Sequence, residues 1–351
     1  MNINRFKFNN NLIVMGNQAA DLDSTVSAVS MATLLSQINP SLQIRPLIQG
    51  HPDDLKLKPE IVALFRRAGI PLDDSLFSET AGKNLDDPLI LVDHNEPDNS
   101  QIHHSIAGMV DHHDDRGLYP DLPLREVKRT GSCTTLISSF WNDSGLSIPY
   151  SQRLILAGAI AVDTGYLNPL WGKTTNLDSR EYMGLSEALL EQDRTFLNTL
   201  VDIKNDLSSL TLSEHLKRDF KFFPLTAHKG GIASITLDSE EFFRKEFYNH
   251  QSVVDFCGKN CPGFLLIMHT VNHPFRRELS LYVPRSPQRK LIRAQLSAAL
   301  EALPDAGIMV KEPRLNADWD SFTQLNPTLS RKVLVPLLLK ELIRHQGPLN
   351  C

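Results

Sequence analysis

The chain has 351 residues, 41% of them hydrophobic, which is enough to bury a large core and predicts two domains. Its net charge of −5 is uneven: residues 1–200 carry 16 Lys+Arg against 25 Asp+Glu, whereas residues 201–351 carry 20 against 16. No apolar run approaches the roughly 20 residues that span a bilayer, and the N-terminus lacks a signal-peptide pattern, so we expect a cytoplasmic protein without a membrane partner.

The first apolar run of the chain ends in glycine and predicts a buried strand. Polar residues separate it from a helical pattern that begins near Val26, so Asp21 and Asp23 fall where open α/β sheets bind ligands. Both carboxylates can turn toward one point, but either can also cap the helix, and the sequence leaves both roles open. In the first half, strands are predicted at 11–16, 42–48, 88–92 and 106–110, and helices at 61–68 and 154–162.

Three later apolar segments in the same half also end in acidic residues. The runs before Asp93 and before Asp111-His112-His113 are typical of buried strands, whereas the longer run before Asp163 indicates a buried helix. A solvated carboxylate commonly follows a single strand. Four such endings in one domain instead favour a shared site.

These endings supply carboxylate oxygens and an imidazole nitrogen as candidate metal ligands. The candidates are Asp21, Asp23, Asp93, His112 and Asp163. Such a set suits Mn²⁺, Mg²⁺ or Co²⁺ better than a thiolate zinc site. Two ions need about this many ligands when one carboxylate bridges them. The four cysteines form no paired framework in so long a chain, which is typical of a reducing compartment.

A further polar signal, Gly131-Ser132, precedes a run of helix-compatible residues. It predicts a helix N-terminus whose backbone N–H groups can hold a phosphate. Simple capping by Ser132 or Thr134 accounts for the same residues and is compatible with anion binding.

The pattern changes after residue 194, so we predict domains at 1–194 and 195–351. The second is expected to be a smaller α/β domain, with strands at 231–237, 263–268 and 279–283 and helices at 291–303 and 331–344. Its basic residues cluster at Arg276, Arg277, Arg285, Arg289, Lys290, Arg293, Arg331 and Lys332. Most should be solvated, and two or three are expected to face the metal site.

Taken in order, the motifs resemble the DHH phosphoesterase superfamily, in the branch with a DHHA2 C-terminal domain. That branch holds family II inorganic pyrophosphatases, eukaryotic-type exopolyphosphatases and prune-like proteins. The matching stretches are Gly16-Asn17-Gln18-x-x-Asp21-x-Asp23-Ser24, Leu91-Val92-Asp93-His94-Asn95-Glu96, Asp111-His112-His113, Asp163-Thr164 and Ser330-Arg331-Lys332-x-x-x-Pro336. The resemblance implies a parallel-sheet DHH domain, a smaller α/β DHHA2 domain, and an active site in the cleft between them.

By this resemblance, two divalent ions, Mg²⁺ or Mn²⁺ with Co²⁺ as a further option, would share the bridging carboxylate of Asp93. Asp21 would complete one metal site, and the other would contain Asp23, His112 and Asp163. Hydroxide held between the ions would attack the terminal phosphorus of inorganic polyphosphate or pyrophosphate.

Catalytic roles are implied for three residues: Asp93, His113 as a phosphate contact, and Asp111 as the group that orients a histidine. The other implied substrate-binding residues are Arg331, Lys332, Arg277 and Lys204, of which Lys204 has the poorest local match. The helix N-terminus predicted above adds Ser132 as a further phosphate contact.

One departure discriminates within the family. Asn17 stands where family II pyrophosphatases carry histidine, whereas exopolyphosphatase-like and prune-like members carry asparagine. An amide is a weaker ligand than imidazole, so we expect a metal site at Asn17 that tolerates Mg²⁺. The sequence therefore favours an exopolyphosphatase, with an inorganic pyrophosphatase or a prune-like short-chain polyphosphatase as the alternative.

Two alternative functions from other protein classes are also considered. A nuclease of the DHHA1 branch would carry a Gly-Gly-Gly-His stretch, which His228-Lys229-Gly230-Gly231 does not reproduce, so no nucleic-acid partner is expected. A metal-binding protein without turnover is the other, and the intact ligand set argues against it. The sequence leaves the oligomeric state open.

Overall fold

The fold is α/β, as the sequence predicts, and the chain divides into two compact units, Met1–Asp206 and Leu207–Cys351. The structure, a computed structural model, describes residues 3, 6, 8, 10–80, 86–97, 104–225, 228–244, 247–272, 274–303, 306–311 and 316–345. The domain boundary predicted after residue 194 stays a prediction. Leu197 and Leu200, which follow it, are buried in the core of the first unit.

The strands of the first unit are β1 (Leu12–Met15), β2 (Ile44–Leu47), β3 (Leu89–Val92), β4 (Ile106–Asp111) and β5 (Leu124–Val127). Its helices are α1 (Leu22–Ile38), α2 (Pro59–Ala68), α3 (Cys133–Ser144), α4 (Tyr150–Thr164), α5 (Asn176–Ser186), α6 (Glu191–Leu197) and α7 (Leu200–Asn205). The helix predicted before Asp163 is confirmed as α4. Strand β5 was not predicted, because Arg125 and Glu126 interrupt its apolar pattern at the sheet edge.

The five strands described in the first unit form a parallel sheet in the order β2-β1-β3-β4-β5. Its central strands are buried on both faces: Leu12 and Val14 join the core beneath α1, α3 and α4, whereas Ile13 and Met15 join a cluster on the other face. Parallel strands end at the same edge, so the residues that follow β1, β3 and β4 emerge side by side. This edge carries the candidate site.

The second unit has its own sheet and cores. Its strands are β6 (Phe220–Leu225), β7 (His228–Ile235), β8 (Phe264–Asn272), β9 (Phe275–Tyr282), β10 (Ile308–Val310) and β11 (Trp319–Gln324). Its helices are α8 (Leu212–Arg218), α9 (Ser239–Phe242), α10 (His250–Asn260), α11 (Arg289–Glu301) and α12 (Arg331–His345). The sheet order is β10-β11-β9-β8-β7-β6, and only the β7–β8 pairing is parallel. Across the described residues, no helix is long and apolar enough to cross a bilayer.

Candidate metal centre

Gly16 directly follows β1, at the sheet edge that carries the candidate site. A side chain at this position would collide with Ser24, since a Cβ atom would lie 2.2 Å from the Ser24 hydroxyl oxygen. That hydroxyl accepts a hydrogen bond from the backbone N–H of Asn17 at 2.7 Å. The glycine therefore permits the tight packing that places Asn17 and the start of α1 beside β3.

Asp93, directly after β3, lies at the centre of the site. Its backbone has a φ of 62°, a left-handed conformation that is costly for a residue other than glycine, and the residue is only 2% exposed. One carboxylate oxygen, Oδ2, accepts a hydrogen bond from Asn17 Nδ2 at 2.7 Å. The other, Oδ1, is buried and receives no hydrogen bond within the described part of the chain. Buried acceptors are normally paired, so this oxygen suits a cation.

His112 aims a ring nitrogen at the same oxygen. Its Nδ1 lies 3.0 Å from the carbonyl oxygen of Thr130, which can only accept a hydrogen bond, so Nδ1 carries the proton. Nε2 then faces Asp93 Oδ1 at 3.2 Å and Asp23 Oδ2 at 3.6 Å. Three groups that can each donate a lone pair thus converge on one point, which is the arrangement of a divalent metal site.

Asp111 supports the second histidine. Its carboxylate is fully buried and accepts hydrogen bonds from His113 Nδ1 at 2.8 Å, from the backbone N–H of His112 at 2.7 Å, and from Asn95. Burial favours the neutral acid, but the hydrogen bonds from His113 and Asn95 outweigh it, so the pKa of Asp111 is lowered. This geometry agrees with the supporting role implied for Asp111.

The side chain of His113 is much more exposed than that of His112. Its side chain is 58% exposed, and the hydrogen bond to Asp111 raises the pKa of its imidazole, against the effect of burial. The ligand atoms of Asp93, Asp111, His112 and His113 all lie within 4.8 Å of one another. Because Nδ1 of His113 is engaged by Asp111, a contact with phosphate would use Nε2, and that contact stays a prediction.

Asp23 joins the same centre from the first turn of α1. It is 2% exposed and accepts hydrogen bonds from the backbone N–H groups of Cys133 and Thr134, at 2.7 and 2.8 Å, and from the Ser132 hydroxyl at 2.6 Å. Burial works to raise its pKa, but His112 and these hydrogen bonds prevail and lower it. The N-terminus of α3, where a phosphate was expected, is thus engaged by a carboxylate, and the contact of Ser132 with substrate stays a prediction.

Asp21 and Asp163 interact electrostatically with the other acids of this centre. Asp21 caps α1 by accepting a hydrogen bond from the backbone N–H of Ser24 at 3.1 Å. Asp163, at the end of α4, has a pKa well above its usual range, first because of burial and then because of the charges of Asp23 and Asp21, with Lys204 acting against them. The metal assignments of Asp21 and Asp163 stay predictions, supported by this mutual influence.

The side chain of Asn17 contacts Asp93, and the metal contact predicted for Asn17 stays a prediction. Its side-chain oxygen accepts hydrogen bonds from the backbone N–H groups of Ala19 and Ala20, at 2.9 and 3.2 Å. Its NH₂ group therefore faces Asp93 and donates to the Oδ2 atom and, at 3.1 Å, to the carbonyl oxygen. This geometry favours a role in orienting Asp93.

The predicted phosphate-binding residues lie in both units. Lys204 is in α7 of the first. In the second, Arg277 on β9 donates to the carbonyl oxygen of Leu329 at 2.8 Å, and Arg331 at the start of α12 pairs with Asp219 at 2.6 Å. The side chain of Lys332 lies outside the described part of the structure. The substrate roles of these four residues stay predictions.

A cavity of about 380 Å³ opens beside Asp93. It is lined by Asn17, Asp93, His94, Asn95, Glu96, Asp111, His113, Asp114 and Arg116. Sequence reasoning assigned no role to Asn95 or Arg116. The position of Asn95, two residues after Asp93, could have indicated that it belongs to the site. No sequence pattern indicated Arg116.

We expect metal ions to stabilise this protein more strongly as the pH rises. Burial raises the pKa of Asp93 and Asp163, and so do the charges of Asp23 and Asp21. In the folded metal-free protein these carboxyls keep their protons to higher pH than in the unfolded chain. The free energy of unfolding therefore falls as the pH rises from the pKa of the unfolded chain to the raised pKa of the folded protein, and it stays lowered above that pH. A bound cation removes that cost and requires the ionised form.

Thermal unfolding with Mn²⁺ and with a chelator, across a pH series, measures this effect. The gain in melting temperature on adding Mn²⁺ should grow as the pH rises through the raised pKa values. A gain that stays constant or shrinks with rising pH would contradict the assignment.

Comparison with known protein families identifies two domains in the chain. Residues 11–159 match the N-terminal domain of the DHH family, and residues 198–341 match the DHHA2 domain. The two matches lie in order and together cover most of the chain. The chain therefore carries a DHH N-terminal domain followed by a DHHA2 domain.

Two exopolyphosphatase relatives align with nearly the whole chain, and a pyrophosphatase relative aligns with about two thirds of it. It is 28% identical to a putative exopolyphosphatase of Schizosaccharomyces pombe, over 93% of this chain and 89% of the relative. It is 28% identical to the human exopolyphosphatase PRUNE1, over 94% of this chain and 75% of the relative. A manganese-dependent inorganic pyrophosphatase of Methanothrix thermoacetophila is 24% identical, over 64% of this chain and 70% of the relative.

Among solved structures, a putative family II inorganic pyrophosphatase of Methanococcus jannaschii resembles the fold with a TM-score of 0.57. The alignment covers 95% of this chain and 99% of that protein, at 21% sequence identity. At this identity the likeness supports the fold alone.

Proposed function

We propose that this protein is a metal-dependent phosphoanhydride hydrolase that releases orthophosphate from the end of inorganic polyphosphate. The observation that carries the proposal is the buried Asp93 oxygen without a hydrogen bond, which faces Nε2 of His112 at the sheet edge of a DHH domain. A cation completes this arrangement. The named relatives are an exopolyphosphatase group and manganese-dependent pyrophosphatases, so hydrolysis of polyphosphate or pyrophosphate follows for this chain.

The donor set fits divalent ions that prefer oxygen and imidazole ligands, namely Mn²⁺ or Mg²⁺. We propose two ions, with Asp93 as the shared ligand and the other positions supplied by Asp21, Asp23, His112 and Asp163. When bound, such ions polarise a phosphoryl group and make a water nucleophilic near neutral pH. The number and identity of the ions are part of the proposal.

The remaining residues of the centre prepare it for phosphate. His113 carries a proton on Nδ1, held by Asp111, and its raised pKa favours a second proton on Nε2. In that form it can donate to a phosphoryl oxygen and offset negative charge as the anhydride bond breaks. Asn17 keeps Asp93 Oδ2 occupied and so leaves Oδ1 for a cation. Positively charged residues of the second unit, Arg331 and Lys332 first, are proposed as further phosphate contacts.

We favour polyphosphate over pyrophosphate as the proposed substrate because of Asn17. An amide that donates to Asp93 supplies no imidazole nitrogen, so this site depends less on transition metals than a histidine-containing one. An inorganic pyrophosphatase or a prune-like short-chain polyphosphatase remains the second candidate, favoured by the pyrophosphatase relatives. A cytoplasmic location is retained as a prediction.

Phosphate release tests the proposal directly. Purified protein is supplied with pyrophosphate, tripolyphosphate or long polyphosphate at equal phosphate-bond concentration, with Mg²⁺, Mn²⁺ or Co²⁺ in turn. We expect release from polyphosphate in Mg²⁺ and none after chelation. Fastest release from pyrophosphate would favour the second candidate, and no release with any ion would reject hydrolysis.

A further inference from the structure

The cavity beside Asp93 includes one arginine, Arg116, that belongs to none of the metal-binding motifs. The cavity runs from a buried end to an exposed one: Asp93 is 2% exposed, whereas the side chain of Arg116 is 64% exposed. A substrate whose reacting phosphate lies against Asp93 has room to extend toward Arg116 within this cavity.

The backbone of Arg116 is anchored to the metal centre through one buried side chain. Its N–H donates to Asn95 Oδ1 at 2.9 Å. Asn95 is 4% exposed, and its NH₂ group donates to Asp111, which in turn holds His113. The backbone of Arg116 is therefore positioned relative to His113, which is expected to contact the reacting phosphate.

The guanidinium group itself is held only weakly. Its Nε lies 3.6 Å from Glu96 Oε2, and the Glu96 side chain is 65% exposed. Water screens such a pair, so it adds little to stability and yields readily to a more highly charged partner. A guanidinium fork also matches two oxygens of a phosphate group at once.

We propose that Arg116 binds the phosphate groups that follow the reacting one and so favours chains of three or more phosphates over pyrophosphate. This inference rests on the proposed function. Glu96 holds the guanidinium at the cavity mouth until substrate displaces it. Each added phosphate brings negative charge toward a site in which half of the other lining side chains are acidic, so the one arginine among the described lining residues offsets that repulsion as the chain lengthens.

Steady-state kinetics of Arg116→Gln tests the proposal, with Arg66→Gln as the matched control. Arg66 is an exposed arginine on α2 and is not part of the cavity lining, so its replacement makes the same charge change elsewhere. We expect kcat/KM for tripolyphosphate to fall about tenfold in Arg116→Gln, the loss usual for a hydrogen bond to a charged group, chiefly through KM. The value for pyrophosphate should fall by a smaller factor, so the ratio of the two substrates changes.

Two companion variants keep the test decisive if Arg116→Gln folds poorly. Arg116→Lys retains the charge without the fork and should lose part of the preference for tripolyphosphate. Glu96→Gln frees the guanidinium and should lower KM for tripolyphosphate. Calorimetric Mn²⁺ affinity should match the wild type in each, which separates an effect on phosphate from damage to the metal centre.

Equal losses for tripolyphosphate and pyrophosphate, or losses no larger than those of Arg66→Gln, would overturn the role of Arg116. Those outcomes leave hydrolysis by the wild type untouched. Failure of the wild type to hydrolyse any of the substrates would instead reject the proposed function.

Discussion

Asp93→Asn should lower kcat for polyphosphate by at least about a thousandfold, because it removes several kcal/mol of charge stabilisation at the metal centre. The change keeps the shape of the side chain but replaces the charged oxygens of the carboxylate with a neutral amide. Oδ1 of Asp93 is the buried oxygen without a hydrogen bond, and Nε2 of His112 faces it at 3.2 Å. Calorimetry should show weaker binding of both ions if this carboxylate bridges them.

Stability of the metal-free variant distinguishes this loss from unfolding. Burial and the neighbouring charges raise the pKa of Asp93, so this carboxyl lowers the stability of the metal-free folded protein at pH values above its pKa in the unfolded chain. Asp93→Asn should therefore melt at or above the wild-type temperature in chelator. Asp73→Asn, at an exposed position, is the matched control and should retain full activity. Substantial turnover by Asp93→Asn would remove the bridging assignment.

Asn17→His should shift both the metal and the substrate preference. An imidazole next to Asp93 adds a nitrogen ligand, so the affinity for Mn²⁺ and Co²⁺ should rise roughly ten- to hundredfold, the range seen when groups around a metal are changed. The ratio of pyrophosphate to polyphosphate turnover should rise with it. Metal titrations and the phosphate-release assay on the same preparation measure the two shifts together.

Asn17→Gln is the control for this replacement. It keeps the amide but disturbs the hydrogen bonds to Ala19 and Ala20, which Asn17→His also loses. If both variants shift the preference equally, the lost hydrogen bonds are the cause and the imidazole is not. An unchanged profile in Asn17→His would defeat the substrate assignment drawn from Asn17.

The sequence was informative about the metal centre for a simple physical reason. Apolar runs of strand length predict buried strands, and parallel strands end at one edge of a sheet. The acidic and histidine residues after such runs, Asp93 and Asp111-His112-His113, were therefore expected to meet, and the structure brings them within 4.8 Å. The helix before Asp163 was also predictable, since its apolar run is too long for an ordinary strand.

Hydrogen-bond partners at the site were much harder to predict. Asp23 was open to capping its own helix, yet it accepts hydrogen bonds at the N-terminus of α3, from Cys133, 110 positions along the chain. Asn17 was assigned to a metal from the resemblance, but the backbone N–H groups of Ala19 and Ala20 determine which end of its amide faces Asp93. Local periodicity carries no information about such long-range or backbone contacts.

By itself, the sequence determined the α/β class, the DHH and DHHA2 domains, and the meeting of Asp93 with Asp111-His112-His113 at the sheet edge. Only the tertiary structure decided which oxygen of Asp93 lacks a hydrogen bond, which nitrogen of His113 is engaged by Asp111, and that Arg116 shares their cavity. The physical reason is that residue type fixes the donors and acceptors available. Burial and the contacts made after folding decide which of them remain for metal and substrate.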